Sequence, residues 1–227
     1  MNRKTEVEKL ILLLREESSQ EGLNGQKRFG ISGRNMLGVS IYAIRRISKG
    51  VLDHETALAL WASEIHDARL MACYVDIPEK VTQEQMDSWV ADFDSWDLCD
   101  QATTSLFDQT PFAPNAVFEW AKGEDEFTRR AAFSTIAGLA FHNHEMIDKC
   151  FENYFPLIKE YSTDPRNFVK KGVNWALRNI GKRNDTLLDK CIQFAEELQQ
   201  TDDKTARWIA SDALREFRKR MNKIEGS

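Results

Sequence analysis

Apolar residues return every three to four positions along nearly the whole chain, and that period dictates helix before anything else. In HETALALWASEIHDARLMACYV (54–75), Leu58, Trp61, Ile65, Leu70 and Cys73 recur at steps of three to five, which gathers them on one helical face. The same reading predicts helices over 3–17, 38–49, 54–75, 82–93, 95–107, 114–121, 125–141, 143–160, 167–181, 185–199 and 203–221. Pro78, Pro111, Pro114 and Pro165 punctuate them. No segment of strand length alternates as a half-buried strand does. The chain reads as all-α.

One pattern recurs: a basic residue opens a helix rich in small and apolar side chains. It is found as DARLMACYV (67–75), TRRAAFSTIAGLA (128–140), VKKGVNWALRNI (169–180) and TARWIASDALREF (205–217). Arg130 to Lys171 is 41 residues and Lys171 to Arg207 is 36, whereas Arg69 to Arg130 is 61, with SWDLCDQATTSLF (95–107) between them. Periods of 30–41 built from helix pairs mark HEAT-like solenoids. The expected architecture is a curved HEAT-like solenoid of antiparallel helix pairs, an α-α superhelix, whose second helices line one concave face. An irregular helical bundle is the competing reading.

Charge is segregated rather than mixed. The chain of 227 residues carries a net −5. Residues 26–50 hold six basic side chains and no acid, residues 51–165 hold 7 basic against 22 acidic, and residues 166–223 hold 14 against 8. Two basic ends around an acidic middle can form a two-lobed positive surface for nucleic acid, or the charges can simply dot solvated helix faces. The whole of 1–227 is read as one domain. The short LILLL run at 10–14 sits among acids and bases, so it belongs to an amphipathic helix and not to a membrane span. Cys73, Cys99, Cys150 and Cys191 are far apart and read as buried free thiols of a reducing compartment. No zinc-type spacing is present, no metal is expected, and GISG (30–33) lacks the GK[ST] of a phosphate loop.

Two tryptophans sit where chemistry is conceivable. In SWDLCD (95–100), Trp96 and Asp100 are one helical turn apart, so a ring and a carboxyl group share one surface. Trp175 lies in NFVKKGVNWALRNIGKRN, surrounded by Lys170, Lys171, Arg178, Lys182 and Arg183. An aromatic face within a basic helix suits a phosphate backbone and its sugars or bases. Taken singly, each tryptophan is better explained by the core.

SWDLCD, TRRAAF and NFVKKGVNWALRNIGK together resemble the motifs of the AlkD-like DNA alkylation repair glycosylases, colinear from about residue 20 to about 220. That family is built as a HEAT-like solenoid. The resemblance implies a monofunctional glycosylase that excises cationic N-alkylated purines, such as 3-methyladenine and 7-methylguanine, from duplex DNA in base excision repair. It maps the catalytic aspartate onto Asp100, the cleft tryptophans onto Trp96 and Trp175, and the cleft arginine onto Arg130. Arg178 matches the arginine of the WxLR motif, and Lys170 and Lys171 stand beside it as DNA contacts. RFG (28–30), followed nine residues on by LGV (37–39), matches the family's RY and LGI elements, with Arg28 and Phe29 toward DNA. Phe29 stands where the family example has tyrosine, so no hydroxyl can reach phosphate there.

The resemblance further implies no cofactor, a monomer, no membrane partner, and a bacterial or archaeal cytoplasm. Relatives that keep the scaffold without base excision leave two alternatives: a non-catalytic DNA-binding protein and a HEAT-repeat protein scaffold.

Overall fold

The computed structural model describes residues 3–225, with side chains over 5–222, and is all-helical, with no strand among the described residues. The ends of the expected 1–227 domain, and the side chain of Lys223 in the basic 166–223 segment, lie outside the described residues. By its internal packing the chain divides into two compact units, Met1–Thr110 and Pro111–Ser227.

The first unit contains α1 (Arg3–Glu16), α2 (Gln20–Arg28), α3 (Ile41–Ser48), α4 (His54–Ala62), α5 (His66–Val75), α6 (Gln83–Ala91) and α7 (Trp96–Ser105). Side-chain caps define most of the starts. Ser19, Ser40, Asp53 and Thr82 accept from the amides of Gly22, Ala43, Thr56 and Gln85, each satisfying a donor the helix itself cannot. Helix α5 packs against α3, α4 and α7, and every residue from His66 to Cys73 is buried. Beside it, the Trp61 and Trp89 rings stack with centroids 3.9 Å apart and planes 4° from parallel.

The second unit contains α8 (Ala113–Lys122), α9 (Glu126–His142), α10 (Asp148–Glu152), α11 (Phe155–Tyr161), α12 (Asn167–Ile180), α13 (Asp185–Gln199) and α14 (Lys204–Glu225). Helix α9 lies between α8 and α12, α12 also packs on α14, and α14 on α13. Residues Arg130 to Ala140 of α9 are all buried. Small side chains make that possible, and Gly172 of α12 keeps the approach close. A Cβ added there would stand 3.4 Å from Phe133 Cβ and 3.5 Å from Arg130 Cγ.

Three expectations are corrected. The predicted 54–75 helix is two, broken at Ser63–Ile65. Glu64 turns left-handed at φ 56 and the Ser63 hydroxyl donates to the Leu60 carbonyl at 2.6 Å, so α4 and α5 fold into a packed pair. The predicted 143–160 helix is also two short ones. Pro156 stands in the first turn of α11, where its missing N–H costs nothing, and it cannot prolong α10. Helix α2 is absent from the expected helices, and its two glycines are weak helix formers. Of the cysteines, Cys150 is half-buried while Cys73, Cys99 and Cys191 are buried, and all four are free.

Helix α2 exists because the LGV loop needs it. Gly38 has φ +77, and a Cβ there would sit 2.6 Å from both the Leu23 nitrogen and the Ser19 carbonyl oxygen. A Cβ on Gly22 would lie 1.9 Å from the Gly38 carbonyl oxygen. From the other side, the fully buried Asp67 carboxylate accepts from the Leu37 and Val39 amides at 2.6 and 2.9 Å. Gly38→Ala combines a left-handed strain of about 1–3 kcal/mol with a backbone collision. It is expected to lower the urea unfolding midpoint well below that of wild type, whereas Gly25→Ala, with open space around its Cβ position, should leave it nearly unchanged.

Candidate functional site

In the first unit the site candidates gather at the start of α7. Trp96 is the first residue of that helix and is half-buried. Its indole Nε1–H donates to the Phe29 carbonyl oxygen at 3.1 Å, so the end of α2 fixes the ring. Asp100 follows one turn later on the same face and is 8% exposed. Phe29 caps α2 with its ring 68% exposed, and the Arg28 guanidinium stands 5.5 Å from that ring's centre. Arg28, Phe29, Trp96 and Asp100 all belong to the first compact unit, and sequence reading places Trp96 and Asp100 on one helical face. It did not foresee the hydrogen bond that links the two aromatic positions.

The groove beside them encloses about 560 Å³ and is lined by Phe29, Tyr42, Leu70, Trp96, Asp97 and Gln101, among others. Asp97, one residue past Trp96, is held at both oxygens. Ser95 Oγ donates to one, and His66 Nε2 lies 2.9 Å from the other. Burial disfavours the charged form of each partner, yet the hydrogen bond and mutual attraction outweigh it. The His66 imidazole is raised above its ordinary 6.5, and the Asp97 carboxyl is lowered below its ordinary 3.8. Neither His66 nor Asp97 carried a sequence signal, since their pairing spans 31 residues.

In the second unit, α9 and α12 carry the remaining candidates. Arg130 is 6% exposed, and its Nη1 donates to the Phe168 carbonyl oxygen at 2.6 Å, tying it to the first turn of α12. Its neighbour Arg129 serves the scaffold. It donates to the Ala121 carbonyl at the end of α8 and to Asp164, and it covers the Tyr161 ring at 4.7 Å. Asp164 is held down to about 2: burial works against its charge, but the Arg166 and Arg129 guanidinium groups prevail. Trp175 is half-buried and not sealed in the core. Lys171 is exposed, and Lys170 lies 5.0 Å from the centre of the Trp208 ring. Arg178 is paired with Asp212 at 3.3 Å and with Glu216, which sequence reading could not see. Trp208, itself 40% exposed, was also missed as a partner of the basic helix.

Neither unit contains a cluster of His, Cys, Asp and Glu suited to a metal ion among the described residues. No helix of the described residues is long and apolar enough to cross a membrane.

The packed helices of the described residues have the fold of a HEAT-like helical-repeat protein. Residues 10–217 match the family model described as DNA alkylation repair enzyme, and the chain belongs to that family. A solved protein described as one of "a new family of proteins related to the HEAT-like repeat DNA glycosylases with affinity for branched DNA structures" is similar over 95% of both chains, at TM-score 0.75 and 18% identity. A designed armadillo repeat protein is more distantly similar, at TM-score 0.38 and 18% identity over 77% of this chain and 91% of its own. No curated protein matches the sequence.

The His66–Asp97 pair gives a pH expectation. A histidine raised above 6.5 stabilises fully below 6.5 and loses that contribution as pH climbs through its folded value. An aspartate lowered below 3.8 stabilises fully above 3.8 and loses it as pH falls through its folded value. The excess stability of wild type over Asp97→Asn should therefore be greatest between pH 3.8 and 6.5 and shrink on both sides. Urea midpoints measured across that range check it.

Proposed function

We propose that this chain is a monofunctional DNA glycosylase that excises cationic N-alkylated purines, 3-methyladenine and 7-methylguanine among them, from duplex DNA. The observation that carries the reading is the head of α7. There a half-exposed tryptophan, fixed by a backbone carbonyl, stands one turn from an aspartate. Trp96 adjoins the acid-free 26–50 segment, whose Arg28 and Phe29 face solvent.

The chemistry accounts for these residue types. An N-alkylated purine already carries positive charge, so it leaves without being protonated. As the glycosidic bond breaks, its electron pair neutralises the purine and positive charge appears on the deoxyribose. Water then adds to C1′ and gives up a proton. Asp100 offsets the sugar's charge and orients that water, and the faces of Trp96 and Trp175 add cation–π attraction. Arg130 takes phosphate, and Lys170, Lys171, Arg28 and Phe29 hold the backbone. Arg178 reaches phosphate by exchanging Asp212 and Glu216 for it. The reaction so written calls on no metal or organic cofactor.

A second reading is supported by two observations: the affinity for branched DNA stated for the structurally similar protein, and the burial of Asp100. In it, the chain binds DNA without releasing a base.

Single-turnover release of 7-methylguanine and 3-methyladenine separates the two. Asp100→Asn is expected to slow excision on the order of a hundredfold or more while duplex affinity holds. Trp175→Ala should cost less, about 1–2 kcal/mol of transition-state stabilisation. Wild-type protein that binds duplex yet releases neither base would establish the non-catalytic reading.

Salt dependence tests the binding half. If Lys170 and Lys171 each neutralise a phosphate, replacing both by Ala should flatten the slope of log affinity against log salt by about 2. The loss should be equal for all sequences. An unchanged slope would count against phosphate contact by α12.

A further inference from the structure

The groove of the first unit holds more than the excision chemistry asks for. Its outer wall is Tyr42 of α3, 79% exposed, facing a groove that also takes in Phe29, 68% exposed, and the half-buried Trp96. Leu70 of the buried α5 is part of its lining. Asp100 is not among the residues that line it. At about 560 Å³, the groove is of a size that takes small ligands, roughly 300–1,000 Å³.

Its polar groups are already oriented. The Trp96 N–H is spent on the Phe29 carbonyl, which leaves the ring face for contact. The Tyr74 hydroxyl and, more weakly, Ser105 donate to the Gln101 side-chain oxygen, so the amide nitrogen of Gln101 is the end left to donate to a ligand. The Asp97 carboxyl is occupied by Ser95 and His66, and Glu17 by Arg46. The surrounding segment 26–50 carries no acid, and of its cations Arg46 is paired with Glu17 while Arg28 keeps an exposed side chain beside Phe29.

We infer that this groove receives an unpaired nucleotide of DNA. Its base stacks against Tyr42 and Phe29, a base carbonyl or ring nitrogen accepts from Gln101, and its phosphates lie against Arg28 and its basic neighbours. Aromatic stacking on bases inside a cationic surface is how single strands are held without sequence preference. The two exposed rings and the charge of the segment both favour this occupant over an apolar peptide. The inference rests on the DNA-binding half of the proposed function and not on its chemistry.

The test compares a labelled duplex carrying one unpaired thymidine with a continuous duplex of the same sequence, the readout being the ratio of their affinities. Wild type is expected to favour the bulged duplex on the order of tenfold, as one stacked base provides. Tyr42→Ala should bring the ratio close to one, and Tyr42→Trp should keep it. Because Tyr42 is so exposed, neither change disturbs packing. A wild-type ratio of one, a ratio unmoved by Tyr42→Ala, or a ratio lost in Tyr42→Trp would each overturn the inference. Base release by wild type, measured on the same preparations with a methylated continuous duplex, separates the two proposals. Absent release with the bulge preference intact counts against excision alone.

Discussion

A helix buried on every side has no solvent face on which to put its charges, and both units are organised around one. Helix α5 and the Arg130–Ala140 stretch of α9 are buried among their neighbours, yet each opens with charged residues. Those charges must find partners on adjoining elements, because leaving one buried and unpaired costs several kcal/mol. In α5, Asp67 takes the amides of the LGV loop, His66 takes Asp97 beside Trp96, and Arg69 takes the Trp61 carbonyl and Asp92. Solving the burial problem thus positions the loop and the helix start that carry the candidate site.

The recurring basic residue acquires a physical meaning in the same way. Arg69 Nε donates to the carbonyl of Trp61 at the end of α4, and Arg129 Nε donates to that of Ala121 at the end of α8. In both cases donor and acceptor are eight residues apart, and each guanidinium also covers an aromatic ring and reaches an aspartate. Each therefore caps the C-terminus of the preceding helix, where unsatisfied carbonyls and the helix dipole favour a cation. By bonding, the counterpart of Arg69 is Arg129, not the Arg130 that motif alignment selects. That division of labour leaves Arg130, bonded to the Phe168 carbonyl, at the start of the basic helix.

Net charge overstated how much cation either basic segment can offer. In the second unit Arg178 and Lys182 share Glu216, Lys190 meets Glu152, and Arg183 binds the carbonyls of Ala140, Asn143 and Met146. In the first, Arg46 meets Glu17, and Arg45 bonds the Tyr74 hydroxyl and covers its ring. Arg28 and Lys171 keep exposed side chains near aromatic rings. A phosphate backbone reads such positions rather than the segment total, since a cation already paired must give up its partner first.

Periodicity made the helices legible, because core-facing residues must recur with the helical turn whatever the partner. It also put Trp96 and Asp100 on one face, and the order of three motifs brought Arg130, Trp175 and the basic helix into view. It failed where a local signal was overruled by a distant group. Gly22 and Gly25 argue against helix α2, but Gly38 needs the space that Gly22 leaves. The unbroken apolar pattern of 54–75 argues for one helix, but the turn at Glu64 lets two pack as a pair. The tertiary structure alone decided the hydrogen bond from Trp96 to Phe29, the pairing of His66 with Asp97, the acids that hold Arg178 and the groove beneath Tyr42. Each joins residues about 30 or more positions apart, and no rule of spacing relates such residues until the chain has folded.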